Sequence, residues 1–437
     1  MRLLVGTGLF LNRVFQPARE GLPAIDDDID AAIDDAVPKR YRSAFRAPVR
    51  AAPLEGEIAD LAELAVSGPY SLLVERGSDG GLRWDLAALG RFEHHDGLCS
   101  LGLTVHFDET DGHELRVRSI DSDELGSVGT ESPEWPQAVA LAVCAASTHL
   151  ALTRHYNDAH LVGGDHWAIA TRNELPSDHP LARLLWPSIF NSLYTVYGTM
   201  RTQLLPDGDY VNIYSFTHAG LIEYFDAMNG RYDVRVTDPK ADHLRRRLDD
   251  ASFDQPSHRN LCELSTAMNR HADTYLHVYY ESDDALRGDA AVSRWLEALD
   301  ELIPNGIAPL LGDSVTREGV ARLIAGHIYE GNTIHDLVGT AMWDYQLWAD
   351  RNPPRVYRDG RGIPVDVFQR LVDNNFALQI RRAPLLADYG AVAVDQKGRD
   401  LFTRFYSDCV ELQERYDLTP TGPWRMEPKN LEIGMNG

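Results

Sequence analysis

Hydrophobic patterning divides the chain near residue 130. From Ala138 through Leu152 nearly every position is apolar or small and none is Gly or Pro, while Pro133 and Pro136 stand at the start of the run. Proline is tolerated in the first turn of a helix and excluded from its interior, so this pattern marks a helix start. The run continues through His155 to about Val162 and meets Gly163-Gly164, a helix-stop signal, so the spacing predicts a helix over 137–162. Being apolar nearly all round, it reads as a helix buried at the centre of a large domain. A second long apolar helix is expected over 316–345. Further helices are expected at 181–204, 217–228, 256–282, 290–303, 364–375 and 397–415. No internal repeat or low-complexity segment interrupts them.

The first 130 residues read differently. An acidic segment between Pro23 and Pro38 contains Asp26, Asp27, Asp28, Asp30, Asp34 and Asp35; without the glycine-centred spacing of a calcium loop, it reads as a solvated helix face. Short strand-like runs occupy 69–75 and 99–106, and 116–119 alternates in polarity. The expected architecture is therefore mainly α. A small, partly β lobe or cover (1–130) precedes a large helical domain (131–437) built on two long central helices.

Composition narrows the function classes. The 437 residues carry 66 Asp plus Glu against 42 Lys plus Arg, a formal charge of −24. That excess disfavours nucleic acid or an anionic surface as the main partner, because phosphate binding needs a basic footprint. The four cysteines (Cys99, Cys144, Cys262, Cys409) form no Cys-x-x-Cys pair, which excludes a recognisable zinc or iron–sulfur framework and fits reduced thiols in a cytoplasmic protein. The apolar run Leu3–Leu11 is too short to span a bilayer, and no later stretch reads as long and apolar enough.

The candidate chemistry lies in histidines on the two long helices: His149, His155 and His160 on the first, His327 and His335 on the second. A neutral imidazole costs free energy to bury unless its nitrogens are used, and a metal ion uses them well. On a helix advancing ~100° per residue, positions five or six apart do not share a face. His149 with His155, or His155 with His160, would converge only where a π-bulge underwinds the helix.

The local sequence resembles the catalytic domain of lipoxygenases. The stretch from His149 through His155, His160, Asp165 and Ile169-Ala-Thr171 continues into Leu175-Pro-Ser-Asp-His179-Pro and Leu184-Leu-Trp-Pro187. Val196-Tyr-Gly-Thr-Met-Arg201-Thr-Gln-Leu-Leu205 is similar to that family's Ile-Asn-x-x-Ala-Arg-x-x-Leu-Ile helix. Tyr279-Tyr-Glu-Ser-Asp283 and Trp295 fall where the family has Tyr-Tyr-x-Ser-Asp and a tryptophan. Ile334-His335-Asp-Leu-Val-Gly339 resembles its second metal-ligand helix, and Pro428-Lys-Asn-Leu-Glu-Ile433 its closing Pro-Asn-Ser-Ile-Ser-Ile. These pieces keep the family's order over about two thirds of the chain.

The resemblance implies a lipoxygenase-like helical fold and a non-haem metal, iron or manganese, held by His155 and His335. It favours His149 as the third ligand, with His160 as the alternative. It implies an oxidoreductase that abstracts a hydrogen atom from a small apolar or unsaturated, fatty-acid-like substrate and inserts dioxygen. Trp167, Leu184, Leu185, Ile334, Leu337 and Val338 are the candidate channel lining. Two departures stand out. Gly339 has no side chain where the family places a weak ligand, and Ile433, whose terminal carboxylate binds iron in the family, is followed by four more residues. Glu330, Asp336, Asn436 and Gly437 are the candidate replacements. Because 130 residues leave too little room for a membrane-docking β-barrel, stable membrane anchoring is not expected. Two other readings stay open: the same metal fold redirected to a non-lipid small molecule, and a degenerate relative without turnover.

Overall fold

The computed structural model describes residues 24–25, 28–36, 46–379 and 383–435. The amino-terminal third contributes a five-stranded antiparallel meander: β1 (Val74–Arg76), β2 (Leu82–Asp85), β3 (Leu103–Glu109), β4 (Leu115–Ser122) and β5 (Gly126–Gly129), in that spatial order. Alternation places Trp84, Val105, Phe107, Ile120 and Val128 on one buried face. Trp84 stacks on Tyr70 and meets Phe107 edge-on. Asp28–Asp35 contains a short helix, Ile29–Ala36, that buries Ile29 and Ile33 and turns its aspartates outward; Asp26 and Asp27 lie outside the described residues.

After the sheet the described residues are mainly helical. The principal helices are α1 (Trp135–Glu174), α2 (Pro180–Ile189), α3 (Ser192–Thr202), α4 (His218–Asn229), α5 (Pro256–Tyr279), α6 (Ala290–Leu302), α7 (317–338), α8 (Val365–Ala377) and α9 (Gln396–Asp417). Their starts follow ordinary capping chemistry. Pro136 and Pro256 sit in first turns, and Asp289, Thr316 and Asp395 accept hydrogen bonds from the free N–H groups of α6, α7 and α9. One hydrophobic core runs continuously from Ile29 to Ile433 and includes the sheet's inner face. A buried triangle locks the sheet region to α1: Ser147 Oγ donates to Asn352 Oδ1 (2.7 Å), Asn352 Nδ2 donates to Tyr70 OH (2.6 Å), and Tyr70 OH pairs with Ser147 Oγ (2.8 Å).

Two expectations are corrected by α1. The pair Gly163-Gly164 does not end the helix, which continues to Glu174; the glycines are there because another segment packs directly on them (below). The helix is also long and apolar enough to qualify as a membrane span, with 40 residues and a most apolar window of mean hydropathy 1.3. Yet 72% of that window is buried inside the protein, as befits a central core helix. The region read as one helix over 181–204 is two, α2 and α3, separated at Phe190-Asn191.

Candidate metal centre

Both central helices change their hydrogen-bonding period where the histidines sit. Leu150–His166 is π-helical within α1, and Glu330–Ile334 is π-helical between Arg317–Tyr329 and His335–Val338 within α7. Bonding from i to i+5 widens the turn, so residues five apart come round beside each other. His155 and His160 are five apart.

The outcome is a cluster of three imidazoles. Nε2 of His160 lies 3.3 Å from Nε2 of His155 and 3.1 Å from Nε2 of His335. One ligand atom from each lies within 4.8 Å of the others, and all three residues are buried. Burial holds the ring pKa values of His155 and His160 well below the usual histidine range, and the neighbouring imidazoles add to the depression. Neutral imidazole has one donor and one acceptor nitrogen, so three Nε2 atoms turned on one another cannot satisfy each other. Nδ1 of His160 has no hydrogen-bond partner either. A divalent cation accepting three Nε2 lone pairs would satisfy the ring atoms that face one another. The donor set thus fits iron or a similar first-row ion.

Surrounding groups orient the ligands. Asp336 Oδ1 lies 3.4 Å from His335 Nδ1, a close ion-pair contact outside hydrogen-bonding geometry. The other oxygen, Oδ2, accepts from the Glu432 backbone N–H at 2.7 Å, and Thr340 Oγ1 donates to Oδ1 at 3.3 Å. Asp336 is thus held by Thr340 and Glu432 while it faces the His335 ring. Gly339 is directed at the cluster: a Cβ there would stand 2.8 Å from His155 Nε2. It would also stand 2.7 Å from the His335 backbone oxygen, so the rings pack directly on this glycine and any side chain here would have to move them.

His149 is elsewhere, which corrects the choice of first ligand. Its Nδ1 lies 3.0 Å from Tyr224 OH, and Thr153 Oγ1 makes a short hydrogen bond to the same hydroxyl. His149 closes the α-helical part of α1, before the widened turns begin, so its six-residue separation from His155 spans the change of period and directs it to α4. His327 is also outside the cluster, with Nε2 2.9 Å from Ser188 Oγ and its ring stacked 4.3 Å from Trp167. Glu330 is fully buried but turns to Arg154, 3.5 Å away, which also pairs with Asp158 at 2.7 Å. Burial pushes the Glu330 carboxyl up, against the pull of Arg154. Asn436 and Gly437 lie outside the described residues. Trp167, Leu184, Leu185, Ile334, Leu337 and Val338 are all buried. None of them lines either of two sizeable cavities, one of about 330 Å³ beside Trp343 and Trp348 and one of about 410 Å³ beside Thr340 and Arg425.

Sequence reasoning missed the packing of the carboxyl-terminal strap. Residues 431–433 pair with 383–385 through Leu385 N–H to Leu431 O and Ile433 N–H to Ala383 O, both 2.8 Å. Ile433 itself packs beside Leu184, Pro187 and Ile328. Met435, fully buried, then lies between the two π-segments: Cβ atoms added at Gly163 and Gly331 would each come 3.1 Å from its Cε, and one at Gly164 would come 3.4 Å from its Sδ. Glycines on two facing helices were the available signal, since such positions mark close approach.

No family model matches the chain. It is 24% identical over 267 residues to seed linoleate 9S-lipoxygenase-3 of Pisum sativum, a stretch covering 53% of this chain and 29% of the pea protein. It is 22% identical over 345 residues to a seed linoleate 9S-lipoxygenase of Glycine max, covering 73% of this chain and 38% of the soybean protein. The chain thus matches less than half the length of these relatives. Solved structures agree over nearly the whole fold. A coral 8R-lipoxygenase superposes with a TM-score of 0.75 at 13% identity, covering 99% of this chain and 80% of that one. A calcium-dependent 11R-lipoxygenase gives 0.75 at 15% identity, covering 86% and 65%. The fold is that of a lipoxygenase-like catalytic domain.

Three outcomes follow from this geometry. Replacing His155, His160 or His335 by Ala is expected to weaken iron binding by roughly 100-fold or more, read as metal content after reconstitution, whereas His149→Ala leaves it unchanged. Gly339→Ala is expected to displace the His155 ring and lower iron affinity without loss of helix content, checked by metal titration and circular dichroism. Burial depresses His149 to about 4, and His271 and His327 to about 3. Groups with depressed folded-state values contribute stability above the unfolded histidine value of ~6.5 and lose it as pH falls toward those lower values. Melting temperature should therefore drop steeply between pH 6.5 and 4, and His149→Gln should flatten that slope.

Proposed function

We propose that the chain is a lipoxygenase-like dioxygenase in which His155, His160 and His335 hold one non-haem iron or manganese ion. The observation carrying this reading is the convergence of three buried nitrogens from two interior helices. Residues 131–437 would carry the chemistry, with 1–130 as a cover. Names of the similar proteins supply the substrate class: linoleate for the seed enzymes, and arachidonate for a lipoxygenase solved in complex with it, which superposes at a TM-score of 0.78. The proposed substrate is accordingly an unsaturated fatty acid, with dioxygen as co-substrate.

A bound iron would supply one-electron redox chemistry, taking a hydrogen atom from an activated C–H bond so that dioxygen adds to the carbon radical. The protein's own contribution is arrangement. Burial keeps the His155 and His160 imidazoles neutral and available, Asp336 stands beside the His335 ring, and the apolar side chains of α2 and α7 exclude water. We assign Trp167, Leu184, Leu185, Ile334, Leu337 and Val338 to the wall that a substrate chain meets once it displaces their packing.

Gly339 favours weighing a second reading. Three imidazoles with no side-chain ligand from position 339 make a smaller donor set than the family pattern does, which suits oxidation of a smaller, non-lipid molecule. Oxygen uptake by the iron-reconstituted chain separates the two. The first reading expects uptake with linoleate and a conjugated-diene absorbance, lost in His160→Ala. Full iron occupancy with no uptake on linoleate would transfer the assignment to the second. Failure to take up iron at all would leave a fold without turnover.

A further inference from the structure

Helices α2 and α3 present an apolar surface that the core leaves uncovered. Trp186 (38% exposed), Phe190 (41%), Tyr194 (74%), Tyr197 (55%), Met200 (51%) and Leu205 (47%) follow one another at three- to five-residue spacing. Two exposed arginines accompany the rings. The Arg172 guanidinium lies 5.3 Å from the Trp186 ring and donates to Phe190 O at 2.7 Å; that of Arg201 lies 5.5 Å from the Tyr197 ring and donates to its hydroxyl at 2.5 Å. Residues 180–206 contain no Asp or Glu, although the chain has 66 in 437 and average density would put about four there. Within that segment the surface carries arginine without carboxylates, while Glu174, Asp178 and Asp207 flank it in sequence.

We infer that the α2–α3 face is a peripheral docking surface for an anionic phospholipid bilayer. Tryptophan and tyrosine rings are at home at the headgroup level, where one edge is apolar and the other wet. Arginines beside them supply the charge that anionic headgroups pair with, their stems lying on apolar surface. The −24 body does not forbid the contact. At physiological salt the Debye length is ~8 Å, so a docked face feels its own charges more than those on the far side. Because binding rests on a few side chains, it is reversible contact and not anchoring. The reverse side of α3 buries Ser192, Thr195 and Val196, and the Ser192 Cβ lies 3.4 Å from where a Cβ at Gly164 would stand. The docking face is thus one helix away from the π-segment that carries His155 and His160. The inference concerns the surface alone and is read out by binding, independently of any metal or turnover.

The test is flotation of the purified full chain with vesicles of phosphatidylcholine containing about a third phosphatidylserine, against vesicles of phosphatidylcholine alone. The wild type is expected to float with the mixed vesicles and markedly less with the neutral ones. The triple variant Tyr194→Ser/Tyr197→Ser/Arg201→Glu should lose roughly tenfold in partitioning with an unchanged melting temperature, because these side chains are exposed. Leu418→Ser, which removes an 83%-exposed leucine outside this face, should bind like the wild type. The inference is overturned if the wild type stays free of mixed vesicles, or if the triple variant floats as well as the Leu418 control. It is equally overturned if the wild type sediments as a dimer that the triple variant dissolves and that vesicles do not compete with, since the face would then belong to a second copy.

Discussion

Three buried ring nitrogens turned toward one another from two interior helices are the arrangement on which the rest of this molecule depends. Ordinary α-helices could not deliver two of them from one segment at a five-residue interval, so α1 adopts i→i+5 bonding over Leu150–His166. The partner helix does the same over Glu330–Ile334, immediately before His335. Burial holds the His155 and His160 rings neutral, and Arg154 meets Asp158 and Glu330 inside the same layer. Where nothing else satisfies those nitrogens, a cation is the natural occupant.

Much of the fold was legible because its signals are strong and local. The apolar character of Ala138–Leu152 and the prolines at its start are signals of this kind. His155 and His335, two members of the buried cluster, were singled out by their neighbours in order along the chain. His160 was given second place to His149 because the choice turned on where the helix changes its period, and backbone winding over seventeen residues leaves no mark in residue type. The glycines at 163 and 164 misled for a related reason. Glycine signals both a helix end and a close approach, and only the distant Met435 decides between them. The small sheet was read in outline, while its edges were blurred by short strands and a turn of 3₁₀ helix at Pro69–Leu72.

The carboxyl-terminal strap ties these observations together. Through Glu432 it holds the carboxylate that faces His335, and through Met435 it fills the slot between the two π-segments. Residues far apart in the chain thereby share one mechanical unit: a change at Gly331 or Gly163 pushes on Met435, and a change in the strap releases Asp336. Such coupling explains how a site can depart from a family's ligand pattern at Gly339 and Ile433 and still hold its rings in register.

The unusual winding of α1 also bears on how the gene can vary. A π-segment is what remains when an α-helix takes in extra residues without shifting its flanks. Deleting a single codon between Leu150 and Arg154 would leave His155 and His160 five apart while letting the backbone relax toward the commoner period and tidy its hydrogen bonding. It would also rotate His155 and His160 out of common aim. In this helix the more regular chain is the one that loses the centre, so selection for simple robustness and selection for the imidazole cluster pull on reading-frame length in opposite directions.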